Sequence, residues 1–355
     1  MARPRLVIDL DAVAANWCAL DALSAPAVET AAVVKADAYG LGAAAVAPAL
    51  AAAGARTFFV ATAEEGAALR AILGPGPMIL DFGGLMRGDA GLIREASLVP
   101  CLDSRGQVEE FARRLPGHPF ALQLNSGMNR LGLDAADLDA VAGLGRAPVL
   151  TMSHLACADD PAHPMNEAQA GRFAALAATL PGARLSLAAT GGILLGPRFH
   201  FDLVRPGVGL YGGLPFAAAR PVASLALPVI QVRELPPGEP VGYGAAWTTG
   251  RPSRVATVAA GYADGLHRAI GRGAIRLFAG QVPCPLVGRV SMDLITVDVT
   301  DVPEVPDALT ILDARQTVDD LATAAGTIGY EILTSLGARY ERVYKGAPPP
   351  APGPV

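Results

Sequence analysis

The chain has 355 residues, of which 52 % are hydrophobic and 17 % charged, and its formal net charge is -5. This composition excludes a disordered chain, and the length suits two domains or one large barrel with an appendage. No run is rich in Lys or Arg, so we expect no nucleic-acid partner, because phosphate binding needs a basic surface. The apolar stretches are interrupted by charge, so we expect no membrane partner either.

The four cysteines and five histidines are scattered, without a Cys-x-x-Cys pair or any other spacing typical of metal ligands. We therefore predict no metal site and a reducing compartment, the cytoplasm. The first residues, MARPRLVIDLDAV, lack the apolar segment of a signal peptide.

Short apolar runs, which we interpret as strands, alternate with segments of helical spacing through the first 210 positions. The predicted strands are 6–10, 31–35, 57–61, 78–81, 99–102, 120–124, 149–154, 185–188 and 201–204. Examples of the predicted helices are 43–53, 63–73, 104–115, 134–143 and 166–180. Such alternation predicts a parallel sheet, and this many units favour a (β/α)8 barrel, like that of triosephosphate isomerase, over an open doubly wound sheet. No Gly-x-Gly-x-x-Gly turn, which the open sheet would favour, follows the first strand.

The composition changes after Arg220, where short alternating runs rich in Val, Pro and Gly predict a mainly antiparallel β domain. One predicted helix, 317–326, interrupts it. We therefore predict a barrel over 9–220, a β domain made of 1–8 and 221–346, and a disordered Pro-rich tail over 347–355.

Lys35 closes an apolar run, and Tyr39, Gly40 and Gly42 follow at once. Burial disfavours a charged amine, so a buried lysine becomes a nucleophile able to form a Schiff base. A lone lysine after two valines would more often mark a strand end and reach out to water. The residues further along the chain favour the reactive interpretation.

Active-site residues of a parallel barrel lie at the carboxyl ends of its strands. The residues predicted there are Lys35, Tyr39, Arg130, His154, Thr190-Gly191-Gly192 and Arg205-Pro206-Gly207-Val208. Singly, Arg130 could be a solvated cap and His154 a core histidine. Together, a lysine nucleophile, two small-residue loops and flanking cations indicate a phosphorylated aldehyde cofactor bound as a Schiff base.

Six motifs make the chain resemble the bacterial alanine racemases, pyridoxal-phosphate enzymes of fold type III. They are Val-Val-Lys35-Ala-Asp-Ala-Tyr39-Gly-Leu-Gly, Asn-Ser-Gly-Met-Asn-Arg130-Leu-Gly, Val-Arg205-Pro-Gly-Val-Gly-Leu-Tyr-Gly, Val-Gly-Tyr243-Gly, Gly-Tyr262-Ala-Asp-Gly and Gly-Arg289-Val-Ser-Met292-Asp293. The resemblance runs in order from about residue 5 to 345. The first and third motifs suit any fold type III relative, whereas the last three narrow the resemblance to racemases.

The resemblance implies that Lys35 holds pyridoxal 5'-phosphate and acts as a base on the D face of the substrate Cα. It implies that Tyr243 of the partner subunit is the base on the L face, in a homodimer with shared active sites. Racemisation requires two such groups, because one removes the proton and the other returns it.

The resemblance also assigns the cofactor contacts. Arg205 would face the pyridine nitrogen and keep it unprotonated, since a guanidinium only donates. His154 would pack on the ring and hydrogen-bond towards Arg205. The phosphate would be held by Tyr39, Thr190 and the backbone N–H groups near Thr190, Gly207 and Val208.

At the substrate end, the resemblance implies that Arg130 reaches the cofactor's phenolic oxygen. Tyr262 and Met292, again from the partner subunit, would restrict the substrate to alanine-sized side chains.

Four positions depart from the family pattern: Gln123, Thr190, Ser291 and Ala338. Gln123 stands where many members carry a carbamylated lysine, so we expect a neutral amide or a bound anion beside Arg130. Thr190 replaces Ser and keeps the hydroxyl, and Ser291 replaces Cys. Ala338 stands where some members carry a phosphate-binding Tyr, and alanine has no hydroxyl with which to make that contact.

The resemblance thus implies a cytoplasmic enzyme that interconverts L- and D-alanine and supplies D-alanine for peptidoglycan. A broad-specificity or serine racemase of the same fold is the alternative. A decarboxylase, a non-catalytic pyridoxal-phosphate carrier and a lysine-dependent aldolase fit less well, because they leave the β domain or Tyr243 and Tyr262 unexplained.

Overall fold

A computed structural model describes residues 3–180, 182–271 and 275–346. The chain divides into two compact units. The first consists of Val13–Leu210 and Pro215–Ala218, and the second takes in 3–12, Tyr211–Leu214 and 219–346. The predicted tail, 347–355, lies outside the described residues.

The strands are β1 (Arg5–Asp9), β2 (Glu29–Thr30), β3 (Ala32–Val33), β4 (Thr57–Val60), β5 (Met78–Asp81), β6 (Val99–Leu102), β7 (Ala121–Gln123), β8 (Leu150–Met152), β9 (Arg184–Ser186), β10 (Leu203–Val204), β11 (Ala223–Leu235), β12 (Pro240–Val241), β13 (Trp247–Thr248), β14 (Ser253–Val258), β15 (Arg276–Ala279), β16 (Val282–Val287), β17 (Ile295–Asp298), β18 (Ala308–Leu312) and β19 (Glu341–Lys345).

The helices are α1 (Leu10–Asp21), α2 (Lys35–Tyr39), α3 (Ala43–Ala53), α4 (Ala63–Leu73), α5 (Ala90–Glu95), α6 (Arg105–Arg114), α7 (Leu138–Ala142), α8 (Met165–Ala177), α9 (Thr190–Leu194), α10 (Val318–Ala325) and α11 (Gly329–Ser335). Short 3-10 turns cover Ala135–Asp137, Pro197–Phe199, Val208–Tyr211, Tyr243–Ala245, Tyr262–Asp264 and Arg268–Gly271.

The first unit is built on a seven-stranded sheet in the order β3-β4-β5-β6-β7-β8-β9, and every pairing in it is parallel. β10 and β2 form a separate parallel pair, with Leu203 opposite Glu29. All four residues of β4 are buried, as are those of β6, which is typical of parallel strands covered on both faces. The predicted parallel α/β sheet is therefore confirmed, with seven strands in the continuous sheet where eight were predicted.

Helices α3 and α4 span the residues predicted for them, because their ends carry clear signals. The Thr62 hydroxyl accepts the Glu65 N–H at the start of α4, and Gly54 and Gly74 follow the last turns of α3 and α4. Helix α1 is not among the helices for which a range was predicted. The strand before it, β1, ends at Asp9, and the Asp9 carboxylate accepts the Ala12 N–H at 2.8 Å. This hydrogen bond lies at the start of α1, in a stretch where the sequence remains apolar.

The second unit contains an eight-stranded sheet in the order β14-β17-β16-β15-β18-β11-β1-β19. Its pairings are antiparallel except that of β1 with β19. The predicted mainly antiparallel β domain is therefore confirmed, but two helices interrupt it, α11 as well as the predicted α10. Within the described ranges no helix is long and apolar enough to cross a membrane.

Candidate active site

Lys35 lies at the start of a left-handed turn that follows β3. The predicted strand 31–35 is wrong at its end, because β3 stops at Val33 and Lys35 opens α2. Residues 36–39 have φ values of +53° to +56°. Each L-residue in this conformation costs roughly 1–2 kcal/mol, about 4–8 kcal/mol for the turn, so the surrounding structure must hold it.

Hydrogen bonds at both ends of the turn supply part of that support. The Ala38 N–H donates to the Val34 carbonyl at 2.9 Å, and the Gly40 N–H donates to the Ala36 carbonyl at 2.7 Å. The Asp37 carboxylate accepts the Ala43 N–H at 2.7 Å, which joins the turn to the first residue of α3.

The Lys35 amine is half-buried, and its Nζ lies 5.8 Å from the centroid of the Phe82 ring. Burial lowers the pKa of Lys35, the positive charge of Arg130 lowers it further, and Glu65 opposes both. A lowered pKa increases the neutral fraction of the amine, which is the nucleophilic form.

Arg205 is 3 % exposed, and every oxygen to which it donates within the described ranges is neutral. Its guanidinium donates to the Ser186 hydroxyl, to the Ser153 carbonyl at 2.6 Å and to the Leu187 carbonyl at 3.4 Å. Burial lowers the pKa of Arg205 to about 10. The hydrogen bond expected between His154 and Arg205 does not occur in the described chain, where the guanidinium donates to these three oxygens instead.

A buried polar network joins the strand ends around His154. The Ser153 hydroxyl donates to the Leu124 carbonyl at 2.8 Å and lies 2.7 Å from the Ser126 hydroxyl. Gln169 of α8 donates to the Ser126 hydroxyl and to the His154 carbonyl, and accepts the Ala156 N–H. These contacts fix the backbone of the segment that carries His154.

Burial lowers the pKa of His154 to about 3, and the positive charges of Arg205, Arg130 and Lys35 act in the same direction. The imidazole is therefore neutral near pH 7.

Thr190 organises the predicted phosphate loops. Its hydroxyl accepts the Gly207 N–H at 3.1 Å and the Gly209 N–H at 3.3 Å. A Cβ at Gly207 would overlap the Tyr39 hydroxyl, so only glycine fits there without displacing Tyr39. The structure thus brings Tyr39, Thr190, Gly207 and, one residue on, the buried Val208 together, although the Gly207 N–H is donated to Thr190.

Arg130 is exposed and forms no hydrogen bond or ion pair with any residue that the structure describes. The amide expected to accompany it, that of Gln123, donates to the Leu124 carbonyl at 3.5 Å. Arg130 therefore acts on Lys35 and His154 only through its charge.

The other three predicted residues belong to the second unit, and all are exposed: Tyr243 by 70 %, Tyr262 by 43 % and Met292 by 54 %. The Tyr262 N–H donates to the Ser291 carbonyl at 3.0 Å and the Ala263 N–H to the Met292 carbonyl at 2.9 Å. Tyr262 and Met292 thus lie on adjoining segments.

Tyr243 lies on a separate turn of that unit, between Gly242 and Gly244, which have φ values of +74° and +68°. The turn runs beside Arg289, because a Cβ at Gly244 would lie 3.3 Å from the guanidinium carbon.

Sequence reasoning missed three polar residues of the first unit: Asp81, Glu65 and Gln169. Asp81 is fully buried at the end of β5. Its Oδ1 accepts the Gly83 N–H, and its Oδ2 has no hydrogen-bond partner in the described ranges. Burial raises the pKa of Asp81 to about 7. A sequence signal was present for Asp81, because a charged residue closes an apolar run there, as Lys35 does. Glu65 and Gln169 lie on helices and have no distinguishing sequence pattern.

Two family profiles cover almost the whole chain: the alanine racemase N-terminal domain matches residues 8–215, and the alanine racemase C-terminal domain matches residues 222–344. An alanine racemase of Cereibacter sphaeroides (strain ATCC 17029) is 62 % identical over 97 % of this chain and 99 % of its own length. One from Ruegeria sp. (strain TM1040) is 59 % identical over the same shares.

Comparison with solved structures indicates the same family. The alanine racemase of Bartonella henselae, solved with covalently bound pyridoxal phosphate, superimposes with a TM-score of 0.90 at 38 % identity, over 97 % of this chain and 100 % of its own. The biosynthetic alanine racemase of Pseudomonas aeruginosa gives 0.90 at 36 % identity, over 98 % and 100 %. A parallel α/β unit with a half-buried lysine at its strand ends, followed by an antiparallel β unit, defines the class, and the chain belongs to the alanine racemase family.

Proposed function

We propose that this protein is a pyridoxal-phosphate-dependent enzyme that interconverts L- and D-alanine. The observation that carries the proposal is the pairing, in one unit, of a lysine amine of lowered pKa with a buried guanidinium that has no carboxylate partner in the described chain. Family membership and the cofactor bound in the Bartonella henselae relative support it.

The residues of the first unit suit this cofactor. Lys35 would hold its aldehyde carbon, Arg205 would face the ring nitrogen, and Tyr39, Thr190, Gly207 and Val208 would surround the phosphate. His154, which is neutral near pH 7, would lie against the ring. Bound in this way, the cofactor supplies an electron-withdrawing ring that makes the α-proton of an amino acid acidic.

The protein's own groups would then move that proton. Lys35 would take it from, or return it to, Cα on one face, and Tyr243 of the partner subunit would do so on the other. Arg205 cannot deliver a proton to the ring nitrogen, since a guanidinium remains charged, which keeps the ring a weak electron sink and favours simple proton exchange.

The exposure of Tyr243, Tyr262 and Met292 supports a homodimer in which each subunit contributes these residues to the partner's site. Arg130, Tyr262 and Met292 would then bind and restrict the substrate. We place the enzyme in the cytoplasm, where D-alanine would feed peptidoglycan, and the four free cysteines are consistent with a reducing compartment.

We further infer that the parallel strands close into an eight-stranded barrel with β10 as the eighth. Backbone hydrogen bonds from Ala31 to Val204 at 2.9 Å and from Val33 to Pro206 at 3.0 Å, with a parallel bridge between Ala189 and Arg205, support this closure. The cofactor-binding domain would span 9–220, and 1–8 with 221–346 would form the second domain.

Chiral chromatography of alanine tests the function directly. Purified protein with pyridoxal phosphate should convert either enantiomer into an equal mixture, and borohydride treatment should fix the cofactor to the peptide containing Lys35. Lys35→Ala should abolish both results. Cofactor fixed at Lys35 without alanine racemisation would refute the assigned reaction. The same assay with serine and other small amino acids would identify an enzyme of broader substrate specificity.

A further inference from the structure

The carboxylate of Glu65 joins the lysine turn to the end of a neighbouring strand. Its Oε1 accepts the Ala36 N–H at 2.8 Å, and its Oε2 accepts the Ala61 N–H at 2.8 Å. Ala36 directly follows Lys35, and Ala61 directly follows β4. One side chain on α4 therefore bridges two strand ends beside the lysine.

Ala36 is the first residue of the left-handed turn, and its N–H has no backbone partner in the described ranges. The other hydrogen bonds of the turn begin at Ala38, Gly40, Leu41 and Gly42. Glu65 thus accepts the N–H group next to Lys35, which no backbone carbonyl in the described ranges accepts. A charged acceptor makes this bond stronger than one between neutral groups.

The same carboxylate acts on the charge of the lysine. Burial and Arg130 lower the pKa of Lys35, and Glu65 raises it. His154, on which the charge of Lys35 also acts, is neutral near pH 7. The neighbouring acid, Glu64, is exposed and interacts with the Thr62 side chain and its own backbone. Of these two adjacent glutamates, Glu65 therefore contacts the lysine turn and Glu64 does not.

We propose that Glu65 is a positioning residue that holds Lys35 and Tyr39 in their reactive arrangement by anchoring Ala36, without itself contacting the substrate. This inference rests on the proposed function only in assuming that Lys35 is the reactive amine. Glu64→Gln provides a matched control, since it removes the adjacent carboxylate on the same helix.

Hydrogen exchange of the full-length protein tests the anchor. We expect the Ala36 amide to exchange roughly 10- to 100-fold faster in Glu65→Ala, and faster in Glu65→Gln than in the wild type, because its hydrogen bond to a charged group is lost. Glu64→Gln should match the wild type. Equal exchange in all variants overturns the proposal. If Glu65→Ala does not fold, the exchange rate of the Ala36 amide in Glu65→Gln tests the proposal instead.

The pH dependence of Lys35 acylation in the cofactor-free protein separates positioning from simple stabilisation. Glu65→Gln should shift the midpoint of the profile to lower pH and Arg130→Gln to higher pH, since they remove charges of opposite sign. In the cofactor-loaded enzyme, Glu65→Gln should lower kcat by about tenfold or more with a smaller change in KM. An unchanged profile together with an unchanged kcat overturns the proposal.

The two proposals fail separately. A wild type that racemises alanine while Glu65→Gln matches Glu64→Gln in every measurement refutes the role of Glu65 alone. A wild type that does not racemise alanine, with the exchange and acylation differences present, refutes the assigned reaction and leaves Glu65 as the residue that positions Lys35.

Discussion

Asp81 and His154 are ionisable groups of the first unit whose pKa values are displaced in opposite directions by the same cause. Burial raises the pKa of Asp81 to about 7 and lowers that of His154 to about 3. Between about pH 4 and 6.5 the folded protein therefore holds a proton on Asp81 that the unfolded chain releases. In the same range it lacks the proton that the unfolded chain places on His154. The two contributions to the pH dependence of stability largely cancel.

Asp81→Asn should expose the contribution of His154. For His154 alone the unfolded chain binds more protons, so the free energy of unfolding rises with pH from about 4 to 6.5 by up to roughly 1.4 kcal/mol per pH unit. Urea denaturation of the cofactor-free protein across this range measures the slope. The double variant Asp81→Asn/His154→Asn should lose this contribution and have a smaller slope than Asp81→Asn, and equal slopes in the two variants would contradict the assignment.

Substitutions at Thr190 allow the contribution of a single hydroxyl group to the free energy of unfolding to be measured. Thr190→Val keeps the shape but leaves the Gly207 and Gly209 N–H groups without their acceptor, which should cost roughly 2–4 kcal/mol of stability. Thr190→Ser, the matched control, keeps the acceptor and should cost about 1 kcal/mol for the lost methyl. Denaturant unfolding measures the stability of the two variants, and cofactor titration measures their affinity for pyridoxal phosphate. Equal losses of stability in the two variants would show that the hydroxyl does not contribute to stability.

At the scale of elements, the contact between the Arg205–Val208 loop and the lysine turn depends on Gly207. Gly207→Ala would push its Cβ into the Tyr39 hydroxyl, and Tyr39 is buried at the end of a turn that already carries backbone strain. We expect a loss of roughly 1–3 kcal/mol in unfolding free energy, together with weaker cofactor binding.

Gly171→Ala is the control for the element-scale prediction. Gly171 lies on an exposed part of α8, and outside the helix backbone no atom of the described chain lies within 4 Å of the position that a methyl group would take. Alanine should therefore stabilise the helix by about 0.5–1 kcal/mol. Thermal unfolding of both variants provides the comparison. A Gly207→Ala variant as stable as Gly171→Ala would show that Tyr39 adjusts freely.

Helices and strands whose ends are marked in the local sequence could be predicted from it. Segments whose conformation depends on tertiary contacts could not. Helices α3 and α4 follow from apolar spacing and from residues that end them, such as Gly54 and Gly74. The left-handed turn after Lys35 has no local signal, since alanine and tyrosine disfavour it and distant partners such as Glu65 hold it. The network of Ser126, Ser153 and Gln169 could not be predicted either, because its three residues lie on separate segments that are far apart in the chain.

At the scale of the whole molecule, the predicted site residues are divided between two units of one chain. Lys35, His154 and Arg205 belong to the first, and Tyr243, Tyr262 and Met292 to the second. The residue types could be read from the sequence, because each stands in a distinctive motif. Whether one chain or two completes a site depends on assembly, which the motifs do not encode.

Subunit mixing tests whether the sites are shared. Lys35→Ala and Tyr243→Ala should each lack racemase activity as homodimers. After unfolding and refolding together, half of the dimers should be mixed and carry one complete site, restoring about a quarter of wild-type activity. The racemisation rate against mixing ratio measures this recovery. Absence of recovery, with mixed dimers demonstrated by mass, would place Lys35 and Tyr243 of the same chain in one site.

The left-handed turn at 36–39 has a consequence for the chemistry of the chain itself. Its backbone angles are the mirror image of those an ordinary helix uses, so they are the favoured angles of D-residues. A version made by chemical synthesis with D-alanine at positions 36 and 38 should therefore fold with less strain than the ribosomal product. The amino acid that this enzyme is proposed to make would suit the segment beside its own lysine better than the one that translation supplies.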